Sequence, residues 1–469
     1  MTDFTTNIDM NVRMMNEKLR VDRNFDILQR DVLIGGKRTH FYFIDGFVQE
    51  ETIEKLVQFF YSLKESDIKD IDTFLEVGMP YTEIEKNGHY DEVEKAFLSG
   101  QTVMIIDGFD ECILIDCRTY PMRSVTEPYK DKVLRGSRDG FVETLVCNAA
   151  LLRRRIRDNR FSMEMYTVGE RSRTDVAVCY IDDKVDKKLL QRIENLISSI
   201  EVEALTMNIE SLAECMFTHK WINPFPKFKY SERPDTATAA ILDGNIVIMV
   251  DNSPAVMIIP ASIFDIIEEA DDFNFSPIIG SYLRITRFFF SIVTWILTPL
   301  WLLFVNNPDW VPEFLKFILI TDDITVPVLL QLLILELAVD GLKLAAVNTP
   351  TMLSTPLSIV AGIVVGEYAV SSGWFNPEAL LYMAVVTVGT YGQTNFEMGY
   401  AFKFLRVLML ILTQIFNLAG FISGVVISVL MIAFNRTITG KSYIYPLIPW
   451  DGKMLKRKVF RVRLPHGYK

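Results

Sequence analysis

From Phe288 to Val305 the chain reads FFFSIVTWILTPLWLLFV without one charged side chain. At ~1.5 Å rise per residue, a helix of that length nearly matches a ~30 Å hydrocarbon core. Further apolar stretches follow at 355–374, 379–396 and 407–435. The last carries no charge and as one helix would be ~44 Å long, more than a single crossing needs. Residues 1–283 hold 33 basic and 49 acidic side chains, whereas 284–469 hold 15 and 10. A charged front half is joined to an apolar back half.

Sidedness follows from flanking charge. Arg284 and Arg287 precede the first apolar run, and Asp309, Glu313, Asp322 and Asp323 follow it, which puts the front half on the cytoplasmic side. The first residues, MTDFTTNIDMNVRMM, contain no apolar run that would serve as a signal peptide. The tail KMLKRKVFRVRLPHGYK is basic and falls on the same side, so the number of crossings is even.

The segment 324–335 is too short to cross alone, and Glu336, Asp340 and Lys343 follow it at i, i+4 and i+7, on one helical face. Facing lipid, each would cost roughly 2.5–3.5 kcal/mol at mid-bilayer. The sequence therefore predicts four crossings with 324–343 embedded or re-entrant. Six crossings remain open through a split of 407–435, where Gly420 and Gly424 are candidate breaks. With four, Lys403 and Arg406 are stranded on the outer side.

The acid excess of the front half argues against nucleic acid as a partner. Its five cysteines, odd in number and without CxxC spacing, read as reduced thiols. GQTVMIIDGFDECILI (100–115) and GNIVIMVDNSPAVMII (244–259) align without a gap, each a strand, a tight turn and a strand. They suggest two related subdomains. Helical periodicity at 140–158 and 186–200, between such strands, makes the front half α/β. The predicted organisation is 1–128 and 129–283 as two α/β subdomains, 284–440 as an α-helical multi-pass membrane domain, and 441–469 as a basic cytoplasmic tail.

No nucleotide, dinucleotide, metalloprotease or hydrolase motif is present, and His40, His89, His219 and His466 are scattered. The sequence predicts neither an enzyme nor a metal or cofactor site. The loop 136–141, GSRDGF, with Arg138 and Asp139, is a candidate anion contact at a helix start, or else a capping loop. Arg153, Arg154, Arg155 and Arg157 form a solvated or salt-bridged face, or a contact to a neighbouring subunit.

Three blocks carry a resemblance: GSRDGFVETLVCNAALLRRRIRD, then ERPD with LDGNIVIMVDNSP, then LLQLLILELAVDGLKLAAVNTP. In that order they resemble the A subunits of the GerA family of spore germinant receptors. VDNSPAVMIIP and IDGFVQEET are most like the stage V sporulation branch. The resemblance implies a multi-pass protein of the inner spore membrane that forms a homo-oligomeric ring, a pentamer, and passes monovalent cations through the surrounding lipid during germination alongside other germination proteins. A non-conducting scaffold and a transporter are the competing readings. Carried over position by position, Glu336, Asp340 and Lys343 match the family's acid, acid and arginine on the path-lining helix. Gln331, where an acid is expected, and Glu367, where an amide is expected, depart from it.

Overall fold

A computed structural model describes residues 3–121, 134–217, 223–348, 368–435, 437, 438, 440 and 442–462. They fall into two compact units, Met1–Thr218 with Phe228–Pro260, and His219–Lys227 with Ala261–Lys469. The units part at Pro260/Ala261, upstream of the first charge-free run.

The first unit builds one pattern twice. Helix α1 (Ile8–Leu19), strands β1 (Ile27–Ile34) and β2 (Lys37–Ile44), helices α2 (Glu50–Phe60) and α3 (Ile71–Val77), strand β3 (Ile84–Asn87), helix α4 (Tyr90–Leu98) and strands β4 (Thr102–Ile106) and β5 (Cys112–Ile115) come first. The order then recurs as α5 (Leu145–Arg155), β6 (Phe161–Val168), β7 (Thr174–Ile181), α6 (Lys187–Ser198), α7 (Ile209–Met216), β8 (Lys229–Ser231), α8 (Pro234–Leu242), β9 (Ile246–Val250) and β10 (Val256–Ile259). Both sheets are antiparallel, ordered β1-β2-β4-β5-β3 and β6-β7-β9-β10-β8.

The repetition extends to single side chains. Asn11 of α1 closes a ring with the backbone N–H and C=O of Thr5 at 2.9 and 2.6 Å, and Asn148 of α5 does the same with Val142 at 2.8 and 2.6 Å. Asp107 and Asp251, in the β4–β5 and β9–β10 turns, accept the first N–H groups of α1 and α5 from Ile8 and Leu145. Each supplies an acceptor to an orphan helix donor. The residues after them, Gly108 at φ +87° and Asn252 at φ +61°, are left-handed, a conformation open to glycine and tolerated by asparagine. The turn chemistry of the two aligned sequence segments is thus realised in both copies.

Alternation places the apolar residues. Tyr42, Ile44, Val103, Ile105 and Leu114 pack under α1 and α4, while Phe41, Phe43, Met104, Ile106 and Ile113 pack against α2 and α3 on the other face. Each fully buried side chain of this size contributes roughly 1.5–3 kcal/mol. In the second copy α5 and α8 cover Ala177, Cys179, Val247 and Met249. Helix α5 starts at Leu145, not at the loop 136–141, so Ser137 and Asp139 do not cap it.

One fully buried ion pair joins the copies. Arg153 of α5 binds Asp26, just before β1, through Nε at 2.7 Å and Nη2 at 2.8 Å, and also bonds Asn24 and the Phe161 carbonyl. Both Arg153 and Asp26 are about 1% exposed.

The second unit opens with the short helices α9 (Ile263–Ile267) and α10 (Asp271–Asn274), then α11 (Pro277–Asn306), 30 residues with Pro299 inside. Helix α12 (Val328–Asn348) is a continuous 21-residue helix that runs through Glu336, Asp340 and Lys343. The three-residue α13 (Ala369–Ser371), α14 (Pro377–Tyr391), α15 (Phe396–Ala433) and α16 (Gly452–Val459) follow. Among the described residues, α11 and α15 are long and apolar enough to cross a membrane. The expected stretch 379–396 yields only the 15-residue α14. Most of the expected crossing 355–374, including Glu367, lies outside the described residues.

Helix α15 is two arms. Asn417 sits at φ 50°, ψ −130° and breaks it. A Cβ on Gly420 would collide with the Leu412 carbonyl, and one on Gly424 would lie 2.7 Å from Met409 Cγ. Residues eight and fifteen apart touch only if the chain doubles back. The glycines therefore do not break the helix; they let two antiparallel arms approach. The Asn417 side chain exchanges hydrogen bonds of 2.7 and 2.9 Å with Asn307, at the end of α11.

Replacing Arg153 by Met leaves a buried carboxylate unpaired at Asp26, so the first unit of the full-length protein is expected to lose ~3–5 kcal/mol. Proteolysis of the full chain across a urea series checks this. The double variant D26L/R153M, which removes both charges, is expected to recover most of the loss.

Candidate functional site

Glu336 and Asp340 lie one helical turn apart on α12, and Lys403 and Arg406 nearly one turn apart on the first arm of α15. The helices run antiparallel, so the four groups meet in register. Arg406 Nε binds Glu336 Oε1 at 2.5 Å, Lys403 pairs with Asp340, and Lys403 Nζ also stands 3.7 Å from Glu336 Oε2. Arg406 donates further to the Thr294 carbonyl of α11, which ties three helices together. Glu336 and Arg406 are 4% and 2% exposed.

Removing a charge from water costs several kcal/mol per ion, which only close pairing and hydrogen bonding offset. Here two acids face two bases. Asp340 keeps one unbalanced feature: Oδ1 is buried and has no hydrogen-bond partner among the described residues. Lys343, the third group expected on this face, lies instead over the rings of Tyr391 and Tyr400, 5.2 and 5.5 Å from their centroids. Gln331 is buried and holds α12 to the start of α14, accepting from the Asn376 N–H at 2.8 Å and donating to its side-chain oxygen at 2.7 Å.

The first unit's candidates are placed separately. Asp139 binds Arg155 at 2.6 Å and also accepts from Ser137. Burial pushes its carboxyl upward, but Ser137 and Arg155 outweigh burial and hold it below the ordinary aspartate value. Arg153 belongs to the buried pair with Asp26, and Arg154 stacks over Tyr120 at 4.6 Å. Arg138 is exposed. Arg153 and Arg155 are therefore salt-bridged within the chain, as one reading of the run has it, and the run is not a single solvated face.

The family model described as Bacillus/Clostridium GerA spore germination protein matches residues 13–469. The chain belongs to the GerA family. It is 35% identical over 457 residues to stage V sporulation protein AF of Bacillus subtilis, covering 97% of this chain and 92% of that protein. Spore germination protein GerLA of Bacillus cereus is 27% identical over 448 residues, with 93% and 90% covered. Among solved structures, the N-terminal domain of the A subunit of the Bacillus megaterium spore germinant receptor GerK3 matches at 20% identity and a TM-score of 0.40, covering 55% of this chain and 96% of that one.

In this GerA protein the two residues that sequence reasoning left without a role, Lys403 and Arg406, are the partners of the acidic helix. The signal that identifies them is spacing: acids at i and i+4 on one apolar helix, bases at i and i+3 on another.

Arg406→Gln leaves Glu336 buried without its main counter-charge and is expected to cost ~3–5 kcal/mol, read as a fall in the melting temperature of the full chain in detergent. Glu336→Gln combined with Arg406→Gln is expected to be milder than the two single losses added. Simple additivity would show that the pair is not coupled.

Proposed function

We propose that this GerA protein is a six-pass membrane subunit of a spore germination complex, in which several copies, five in the simplest ring, gather so that α12 lines a path for monovalent cations. Its setting is the inner spore membrane, with the first unit and the basic tail on the core side and other germination proteins as partners.

Helix directions support the count. Asn307 and Asn417 place the ends of α11 and of the first arm of α15 together, so these run the same way. Helices α12 and α14 start together at Gln331 and Asn376, and α12 ends near Tyr391 and Tyr400. They run the opposite way. With the second arm of α15 returning, the described residues supply five directions, and the sixth in this reading is the sequence-predicted stretch 355–374, most of which lies outside them. An even count of six removes the stranding of Lys403 and Arg406, which become mid-bundle partners of α12.

The observation that carries the proposal is the Glu336–Asp340 pair inside an apolar bundle, with Asp340 Oδ1 buried and without a hydrogen-bond partner among the described residues. Intramembrane carboxylates raise local cation concentration and stand in for lost hydration. Lys403 and Arg406 hold both acids within one chain, which makes the observed arrangement a closed one; conduction needs α12 to turn away from α15. The same neutralisation favours a second reading, a non-conducting scaffold whose ion cluster serves only packing.

Reconstituted in liposomes, the protein is expected to pass potassium. Glu336→Gln with Asp340→Asn is expected to lower that flux by roughly tenfold. Intact oligomers that pass no ion under any condition would select the scaffold.

A further inference from the structure

The second unit holds a surface that neither the ion cluster nor the family match assigns. Helix α16 (Gly452–Val459) is capped at its start by Asp451, which accepts the Met454 N–H at 2.9 Å. At its end Arg284 of α11 donates to the carbonyls of Arg457 and Lys458 at 3.0 and 3.3 Å. A cation at a helix C-terminus faces the negative end of the dipole. Arg284 also binds Asp272, buried among Arg284 and Arg287, and the Arg461 N–H donates to Ser281 at 3.0 Å. The helix is therefore fixed within a turn or so of Phe288, where the charge-free run of α11 begins.

The side of α16 turned to the unit is neutralised. Lys458 pairs with Asp265 and stands 3.5 Å from Glu268; burial works to lower its ammonium, but the two carboxylates hold it above the ordinary lysine value. The opposite side carries Lys453, Lys456 and Arg457 at i, i+3 and i+4, with Phe460 beside them. Lys453 and Lys456 are exposed and, among the described residues, have no carboxylate within ion-pair distance. Directly before the helix, Leu447, Ile448 and Trp450 are 40%, 58% and 71% exposed. Tyr282 and Ile278, in the first turns of α11, are exposed as well.

Cations beside exposed tryptophan and aliphatic side chains, at the level where a crossing helix enters its apolar run, form an interfacial anchor. We infer that α16 with the turn before it lies in the headgroup layer and binds anionic phospholipid headgroups. Charge decides the occupant: the exposed charges of the outward face, Lys453 and Lys456, are both basic, and basic clusters beside a crossing helix gain with each charge near an anionic surface. The apolar side chains set the depth, and Trp450 reaches past the phosphates.

This inference rests on the membrane reading of α11. Full-length protein placed in nanodiscs of phosphatidylcholine, with and without phosphatidylglycerol, tests it by quenching of tryptophan fluorescence with brominated lipid. Subtracting the signal of Trp450→Phe isolates Trp450. Native mass spectrometry of the same protein counts retained lipid.

The expected result is quenching of Trp450 that strengthens with phosphatidylglycerol, and preferential retention of that lipid. Lys453→Glu with Lys456→Glu is expected to lower retention about fivefold per charge changed, whereas Lys453→Arg with Lys456→Arg preserves it. Millimolar inorganic phosphate is expected not to compete. Equal quenching and retention in both lipids would overturn the headgroup assignment while leaving the membrane reading intact. An unquenched Trp450 beside quenched bundle tryptophans would show the segment lifted off the surface and overturn the inference entirely. Failure of the chain to enter a bilayer at all would overturn the membrane reading first.

Discussion

Four ionisable side chains inside an apolar bundle dictate how the second unit is assembled. The apolar interior of the bundle offers Glu336, Asp340, Lys403 and Arg406 no hydration, so the helices that carry them must meet, antiparallel, with one register. The remaining contacts follow from that meeting. The Gln331–Asn376 bonds set α14 against the start of α12, the Arg406–Thr294 bond sets α11 against both, and the break at Asn417 lets the second arm of α15 return alongside the first.

The first unit solves the same physical problem to a different end. Arg153 and Asp26 are as deeply buried as Glu336 and Arg406, but the guanidinium is fully engaged: a bidentate pair with Asp26, Asn24, the Phe161 carbonyl, and the Phe161 ring against it. Such closure gives rigidity and leaves nothing for a ligand. Around Asp340 the closure is incomplete, one buried oxygen having no donor. Unsatisfied polar atoms in native interiors call for an explanation, and the ion path proposed above would supply one for this oxygen.

What was legible in the sequence is what short-range chemistry determines. The hairpins at 100–115 and 244–259 were visible because Asp-Gly and Asn-Ser-Pro supply turn geometry wherever they stand, and the alternation on either side decides which face is buried. The common face of Glu336 and Asp340 was visible because helical spacing is local. Their partners were not, since Lys403 lies 63 positions from Asp340 and only the fold brings them together. The apolar run 324–335 ends at Glu336, but a charge with a partner does not end a helix, and α12 runs on through Glu336, Asp340 and Lys343 to Asn348. Gly420 and Gly424 were read as breakers on propensity alone; their effect depends on the facing arm, with Asn417 supplying the turn.

The doubled frame of the first unit shows how one scaffold comes to hold two chemistries. Asn11 and Asn148 mark equivalent positions on α1 and α5 by their identical backbone rings. Five residues on from each stand Asn16 and Arg153. Asn16 accepts the Tyr42 hydroxyl at 2.8 Å within its own copy, whereas Arg153 reaches across to Asp26 and Asn24 of the other. At this position the equivalence is broken, and the break is what couples the copies: an asparagine in place of Arg153 is too short to form the same bidentate pair, and an arginine in place of Asn16 would face the buried Tyr42 with no acid assigned to it. Two similar subdomains are therefore coupled by an asymmetric, fully buried ion pair, flanked by the Arg20–Asp182 pair and by the Phe25 N–H donating to the Met163 carbonyl.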